Sequence, residues 1–224
     1  YEYGNIFAFK PRYKLKNNRL KIVHNPIKNF SNIKKIYKKI DYLKQEDHWY
    51  RKKFKSDLIQ FPYILSIFKN FPRNILIFFY LSLYKIFSSV FFYNKAWEIT
   101  LKNNFNYVIE SYKDKSMVDL LAQEIKFFSK KVLENNCKPL VIIFPYLNDM
   151  RYIINTDKVF YKNLIKEISR FTDYIDLSEE MRNKKNMSKL FVNSFYGGHL
   201  SKKGNKMTAN IIHSFLKKNP ELFN

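Results

Sequence analysis

The residue whose type and setting best suit proton transfer is His199. It lies in Tyr196-Gly-Gly-His-Leu-Ser-Lys-Lys-Gly-Asn-Lys-Met-Thr-Ala209, where Ser201 is a good helix N-cap. Met207, Ile211, Ile212 and Phe215 follow at helical spacing. An imidazole on a loop feeding a helix is steadied by the element behind it while its ring faces a cleft, which suits a general base. Gly197 and Gly198, two of only four glycines, permit a sharp turn and a close backbone approach there. The competing reading is an ordinary loop histidine ahead of a helix. The other histidines, His24, His48 and His213, form no His-Glu-x-x-His spacing, and Cys137 is the single cysteine. No metal site and no cofactor is therefore expected. A glycine-rich phosphate loop is also missing from the sequence, which argues against a nucleotide-dependent enzyme.

The His199 stretch resembles the last motif block of the SGNH (GDSL) hydrolases, with His199, Ser201, Gly204, Asn205 and Ala209 fitting the pattern that opens their final helix. Phe9-Lys-Pro-Arg-Tyr-Lys-Leu15 and Leu20-Lys-Ile-Val-His-Asn-Pro26 are similar to a segment that some long bacterial members carry after their first three blocks. The resemblance implies an α/β serine hydrolase that cleaves an ester or transfers an acyl group. His199 would be the general base, and the substrate an acylated small molecule or carbohydrate. It also implies a nucleophilic serine in a Gly-Asp-Ser motif, with glycine and asparagine oxyanion donors in the next two blocks. No Gly-Asp-Ser and no Gly-x-Asn-Asp occurs. The chain opens on Tyr1, so the expectation is that it starts just past those blocks and is silent alone. Ser194, five positions before His199 and without an oxyanion glycine arrangement, is a poor substitute nucleophile. Tyr196 stands where the family carries the carboxylate that orients the imidazole. A backbone carbonyl, a phenol or a carboxylate from elsewhere would then hold the ring. Asp149 and Asp176 follow strand ends, and Asp176 reads more as a structural residue.

The elements that must position this histidine follow from periodicity. Ser116-Met-Val-Asp119 resembles a capping box, with Val118, Leu121, Ile125, Phe128 and Val132 at helical spacing behind it. Leu140-Val-Ile-Ile-Phe144 is a continuous apolar run, the pattern of a central parallel strand covered on both faces, and Pro145 stops it. A helix is expected from Asp157 with Phe160, Leu164, Ile165 and Ile168 inward, then a short strand Tyr174–Leu177, a polar stretch and the last helix. That order predicts an α/β fold: an incomplete flavodoxin-like (SGNH-type) parallel sheet flanked by helices. Ligands of such sheets bind beyond the carboxyl ends of the strands, which places His199 at the cleft. An N-terminal β-hairpin is expected from Tyr13 and Leu15, the Asn17-Asn18 turn, and Leu20 and Ile22, with Pro11 at an edge. A lysine-covered helix should start at Ser31 with Ile33, Ile36, Tyr37 and Ile40 on one face. His48, within Asp47-His-Trp-Tyr50, receives no role; a loop packed by Trp49 is the simpler reading.

At 224 residues one domain is the default. It would comprise a basic hairpin and helix over 1–55, an apolar, aromatic helical insertion over 56–115, and the α/β core with the histidine block over 116–224. The net charge of +22 coincides with abundant Lys, Asn, Ile, Phe and Tyr, a bias that AT-rich coding also produces, and nucleic acid is not the expected partner. Residues 1–55 still hold sixteen Lys/Arg against four Asp/Glu. Within 61–93 only Lys85 interrupts the apolar run from Ile75 to Tyr93. That run approaches the length of a membrane span, yet a central lysine costs about 2.5–3.5 kcal/mol on insertion. A helix lying in a membrane surface, or an insertion packed on protein, are the other readings. The compartment stays open between cytoplasm and membrane surface. The alternative to the hydrolase is a non-catalytic basic α/β module that binds a membrane surface or nucleic acid, and a further option is a scaffold that has lost its activity.

Overall fold

Apolar residues that alternate with lysines build the first element. Strands β1 (Arg12–Lys16) and β2 (Arg19–Val23) pair antiparallel across the Asn17 turn, where φ is +52°. Their register sets Tyr13 opposite Ile22 and Leu15 opposite Leu20, so the four share one face, as the alternation predicts. The same register sets Lys14 against Lys21, a like-charge pair, and Lys14 reaches Glu46 at 3.1 Å. The computed structural model describes residues 12–17, 19–24, 29–47, 50–192 and 198–222. Pro11, His48, Trp49 and the Asn193–Gly197 approach to the histidine, with Ser194 and Tyr196, lie outside them. The described residues form a mostly helical α/β chain with small sheets and no closed barrel. It divides into two compact units, 1–108 and 109–224.

In the first unit, the helix expected at Ser31 starts as 3-10 turns over Phe30–Lys39 before α1 (Ile40–Glu46). Tyr37 and Ile40 are exposed, and Leu43 is the buried residue of α1. A π-helical turn, Tyr50–Phe54, leads into α2 (Lys55–Asp57). The apolar stretch then folds as α3 (Tyr63–Lys69), α4 (Phe71–Phe87) and α5 (Val90–Lys113). Ser88, at φ +51°, ends α4, so Lys85 lies in its last turn rather than in the middle of one long helix. No helix among the described residues is long and apolar enough to cross a membrane.

The second unit begins within α5. Its first complete helix, α6 (Lys115–Leu133), is capped by Asp114, whose carboxylate accepts the Ser116 N–H at 2.9 Å. The helix therefore starts ahead of the expected Ser116 box, because an aspartate at N-cap outcompetes a serine inside the first turn. Val118 and Ala122 are buried and Phe128 is exposed, which corrects the expected inward position of Phe128. Strand β3 (Leu140–Ile143) follows, then α7 (Leu147–Thr156), α8 (Lys162–Ile168), β4 (Asp173–Asp176) and α9 (Leu177–Arg182). After a 3-10 turn, Met187–Leu190, come β5 (Phe191–Val192), β6 (His199–Leu200) and α10 (Lys202–Lys218). Two of these helices were not expected: α7, after the Pro145 stop, and α9 in the polar stretch. Asp157 starts no helix. At φ +53° it ends α7, a left-handed position that aspartate tolerates.

β3 and β4 are parallel, with Ile142 opposite Ile175. Leu140, Ile142 and Ile175 join Leu147, Met150, Leu177, Met181, Leu190 and Phe191 in one core. Val141, Ile143 and Tyr174 join Val118, Ala122, Leu164 and Ile168 in the other. Side chains alternate between sheet faces, so the continuous apolar run of β3 supplies both cores. β3 itself is only half-buried, because β4 is its one paired neighbour among the described residues.

The last helix is locked from outside. Ser201 Oγ accepts the Gly204 N–H at 3.1 Å, its N–H donates to Leu190 O at 2.8 Å, and its hydroxyl donates to Lys189 O at 2.9 Å. A β-carbon on Gly204 would lie 2.2 Å from the Leu190 carbonyl oxygen. Gly204→Ala is therefore expected to destabilise the chain by about 1–3 kcal/mol in a denaturant titration, although alanine is the better helix former.

Candidate functional site

Residues 198–200 return along β5, with Val192 opposite His199 and Phe191 opposite Leu200. Gly198 controls where they land. Its φ is +78°, and a β-carbon there would come within 2.7 Å of Leu147 Cβ and 3.3 Å of Phe191 Cβ. Both neighbours are buried in the core, so the backbone at Gly198 lies directly against the first residue of α7. His199 is thereby set beside Tyr146, the residue preceding that helix, with ring centroids 6.2 Å apart and planes inclined at 66°. This is an edge-to-face contact. Tyr146 follows the carboxyl end of β3, so the imidazole lies beside the residue just past that strand end. The His199 side is exposed, and among the described residues no side chain hydrogen-bonds the ring.

The two carboxylates considered as orienting partners are engaged elsewhere. Asp149 accepts the Tyr146 N–H at 2.8 Å and is nine-tenths buried, closing the first turn of α7. Asp176 accepts the Ser178 N–H at 3.0 Å as the N-cap of α9, and the Tyr161 hydroxyl lies 3.1 Å from the same oxygen, Oδ1. Tyr161 also lies 3.0 Å from Ser178 Oγ, and all three residues are buried. This cluster escaped the sequence reading, although Asp-Leu-Ser at a strand end is itself an N-cap signal. The helix start of α7 was missed because its N-cap is Tyr146 rather than a small polar residue.

Burial pushes the Tyr161 phenol far above its ordinary range, against a smaller opposing effect of the Ser178 hydrogen bond. Tyr112, whose ring packs on Phe160 and Tyr161, is raised by burial and by the charge of Asp149. Glu124 on α6 is also raised, by burial.

A lysine-rich groove of about 970 Å³ runs along β4 between α9 and α10, bordered by Lys184, Lys185, Lys203 and Lys206 with Glu179 and Glu180. His199 is not among its lining residues. Asp176 is, and its Oδ2 is buried without a hydrogen-bond partner among the described residues. The groove is open and charged. His213 is exposed on α10, and Cys137 is exposed in the turn before β3. Among the described residues no three His, Cys, Asp or Glu side chains are placed to hold a metal.

No family model, curated protein or solved structure matches the chain.

Replacing Gly198 by Ala would strain the left-handed backbone and push it off Leu147. A loss of about 1–3 kcal/mol is expected, together with loss of the ring-current shift that Tyr146 imposes on His199 protons in NMR spectra. Tyr161→Phe should cost about 1–2 kcal/mol at neutral pH, because it removes a donor from a buried carboxylate. The folded phenol titrates above the unfolded one, so its contribution is complete below pH about 10 and is lost as pH rises beyond that value. The stability difference between the two proteins should therefore be flat to pH about 9 and narrow above pH about 10 in urea titrations.

Proposed function

We propose that this chain is the C-terminal part of an SGNH/GDSL-type serine hydrolase, an esterase or acyltransferase, with His199 as its general base. The observation that carries the reading is the exposed imidazole held against Tyr146 just past the carboxyl end of β3. The motif block around His199 adds to it. In this reading β3 and β4 are two strands of a flavodoxin-like sheet whose remaining strands come with the missing blocks.

The chemistry assigned to His199 is proton transfer in two directions. A serine hydroxyl attacks the ester carbonyl carbon while His199 takes its proton, forming the new C–O bond. The tetrahedral intermediate collapses, the bond to the leaving alcohol breaks, and His199 returns the proton to that oxygen. Water or an acceptor hydroxyl then repeats the sequence on the acyl-enzyme. Backbone or side-chain donors for the oxyanion belong to the same missing blocks as the serine. With Asp149 and Asp176 committed to helix caps, the imidazole works as a dyad with the serine.

A fluorophosphonate probe tests both halves of this reading. The chain alone is expected to remain unlabelled, and labelling would contradict the missing nucleophile. A longer protein that includes the sequence encoded immediately upstream is expected to be labelled and to hydrolyse model acetyl esters. There His199→Ala should cost about 100-fold or more in kcat/KM. Full activity in that variant would remove His199 from the mechanism.

A further inference from the structure

Helices α3 and α4 are built inside out. The buried residue of α3 is Ser66, 7% exposed, and that of α4 is Asn74, 5% exposed. Ser66 Oγ donates to Leu58 O at 3.0 Å and accepts the Gln60 N–H at 2.9 Å. Asn74 donates to Ile67 O at 3.3 Å and accepts from Arg73 at 2.8 Å. Asp57 adds an ion pair with Lys53 and approaches Arg73 at 3.9 Å. The polar groups thus satisfy one another inside, while the apolar side chains point out. Ile64 is 70% exposed and Phe78 59%, and Leu65, Phe68, Phe79 and Ile86 are similarly bare. An apolar surface this extensive belongs in an apolar surrounding. Water gives none.

The charge around these helices says what supplies it. From residue 58 to 97 there is no Asp or Glu, and Lys69 and Lys85 are exposed within the apolar surface. Residues 1–108 carry twenty-one Lys/Arg against six Asp/Glu. A second copy would bring like charges together over this face, whereas anionic headgroups would neutralise them. Lysine stems lie along apolar surface and lift their ammonium groups to the headgroups. The seventeen residues of α4 span about 26 Å, short of the roughly 30 Å hydrocarbon core. We propose that α3, α4 and the first turns of α5 form a docking surface that immerses in one leaflet of an anionic lipid bilayer without crossing it. Membrane attachment through this unit is independent of the chemistry at His199.

Cosedimentation of the full chain tests the proposal, using vesicles of equal phosphatidylglycerol and phosphatidylcholine and vesicles of phosphatidylcholine alone in 0.1 M salt. Binding to the anionic vesicles is expected to be at least tenfold tighter, and to weaken at 1 M salt, where screening shortens to about 3 Å. Lys69→Gln with Lys85→Gln should weaken it about 30-fold. Phe78→Ser with Phe79→Ser should weaken it at least tenfold with an unchanged circular dichroism spectrum. Phe79→Trp should shift its emission to the blue on adding anionic vesicles and be quenched by brominated acyl chains, a readout that holds even if the serine variant misfolds. Absence of binding at 0.1 M salt overturns the proposal. So does a Phe79→Trp emission already blue-shifted without lipid in a chain that sediments as a dimer, which would assign the face to a second copy.

Discussion

A backbone with no room for a side chain governs the second unit. Gly198 lies against Leu147 so closely that a single methyl group would have to displace it, and Leu147 is wholly buried. Packed interiors do not yield by such amounts without cost. The position of His199 is therefore tied to the core through one glycine. The same α7 terminus holds Tyr146, so the two rings meet because both are tied to one helix start. Gly204 repeats the device one turn into α10, where the helix abuts the Leu190 carbonyl. Two of the four glycines in the chain thus clamp the strand-to-helix corner from both sides.

The carboxylates near this corner serve the scaffold. Asp149 and Asp176 each close a helix N-terminus, where backbone N–H groups lack intrahelical partners and a negative charge is favoured by the helix dipole. Tyr161 adds its hydroxyl to the Asp176 cap beneath the sheet end. The acids are spent on the helix starts, and the exposed imidazole packs edge-to-face on Tyr146.

The first unit follows a different physical rule. In α3 and α4 the buried residues are hydrogen-bonded polar ones and the apolar side chains are exposed, whereas in the second unit Leu147, Met150, Ile153, Ile168, Leu177 and Met181 are sealed from solvent. One chain therefore combines a water-adapted α/β core with helices whose outward faces suit an apolar medium.

Local elements were legible wherever neighbouring residues alone decide conformation. The hairpin followed from strict alternation and the Asn17 turn, α10 from Ser201 and its apolar stripe, and β3 from an uninterrupted aliphatic run. His199, expected on a loop, lies instead in β6, because its pairing with β5 is decided by tertiary contacts. The starts of α6 and α7, the helix α9 and the outward turn of Phe128 were not legible, because each depends on which of several competing caps or faces tertiary packing selects. The extent of the parallel sheet, two strands among the described residues, was likewise beyond a run of apolar letters. Sequence determined the hairpin, β3 and α10, where neighbouring residues alone decide the conformation. Only tertiary structure decided that Tyr161 joins the Asp176 cap, that Gly198 lies against Leu147 at the start of α7, and that the apolar side of α4 faces outward, since each rests on contacts between residues distant along the chain or on burial, which no local pattern encodes.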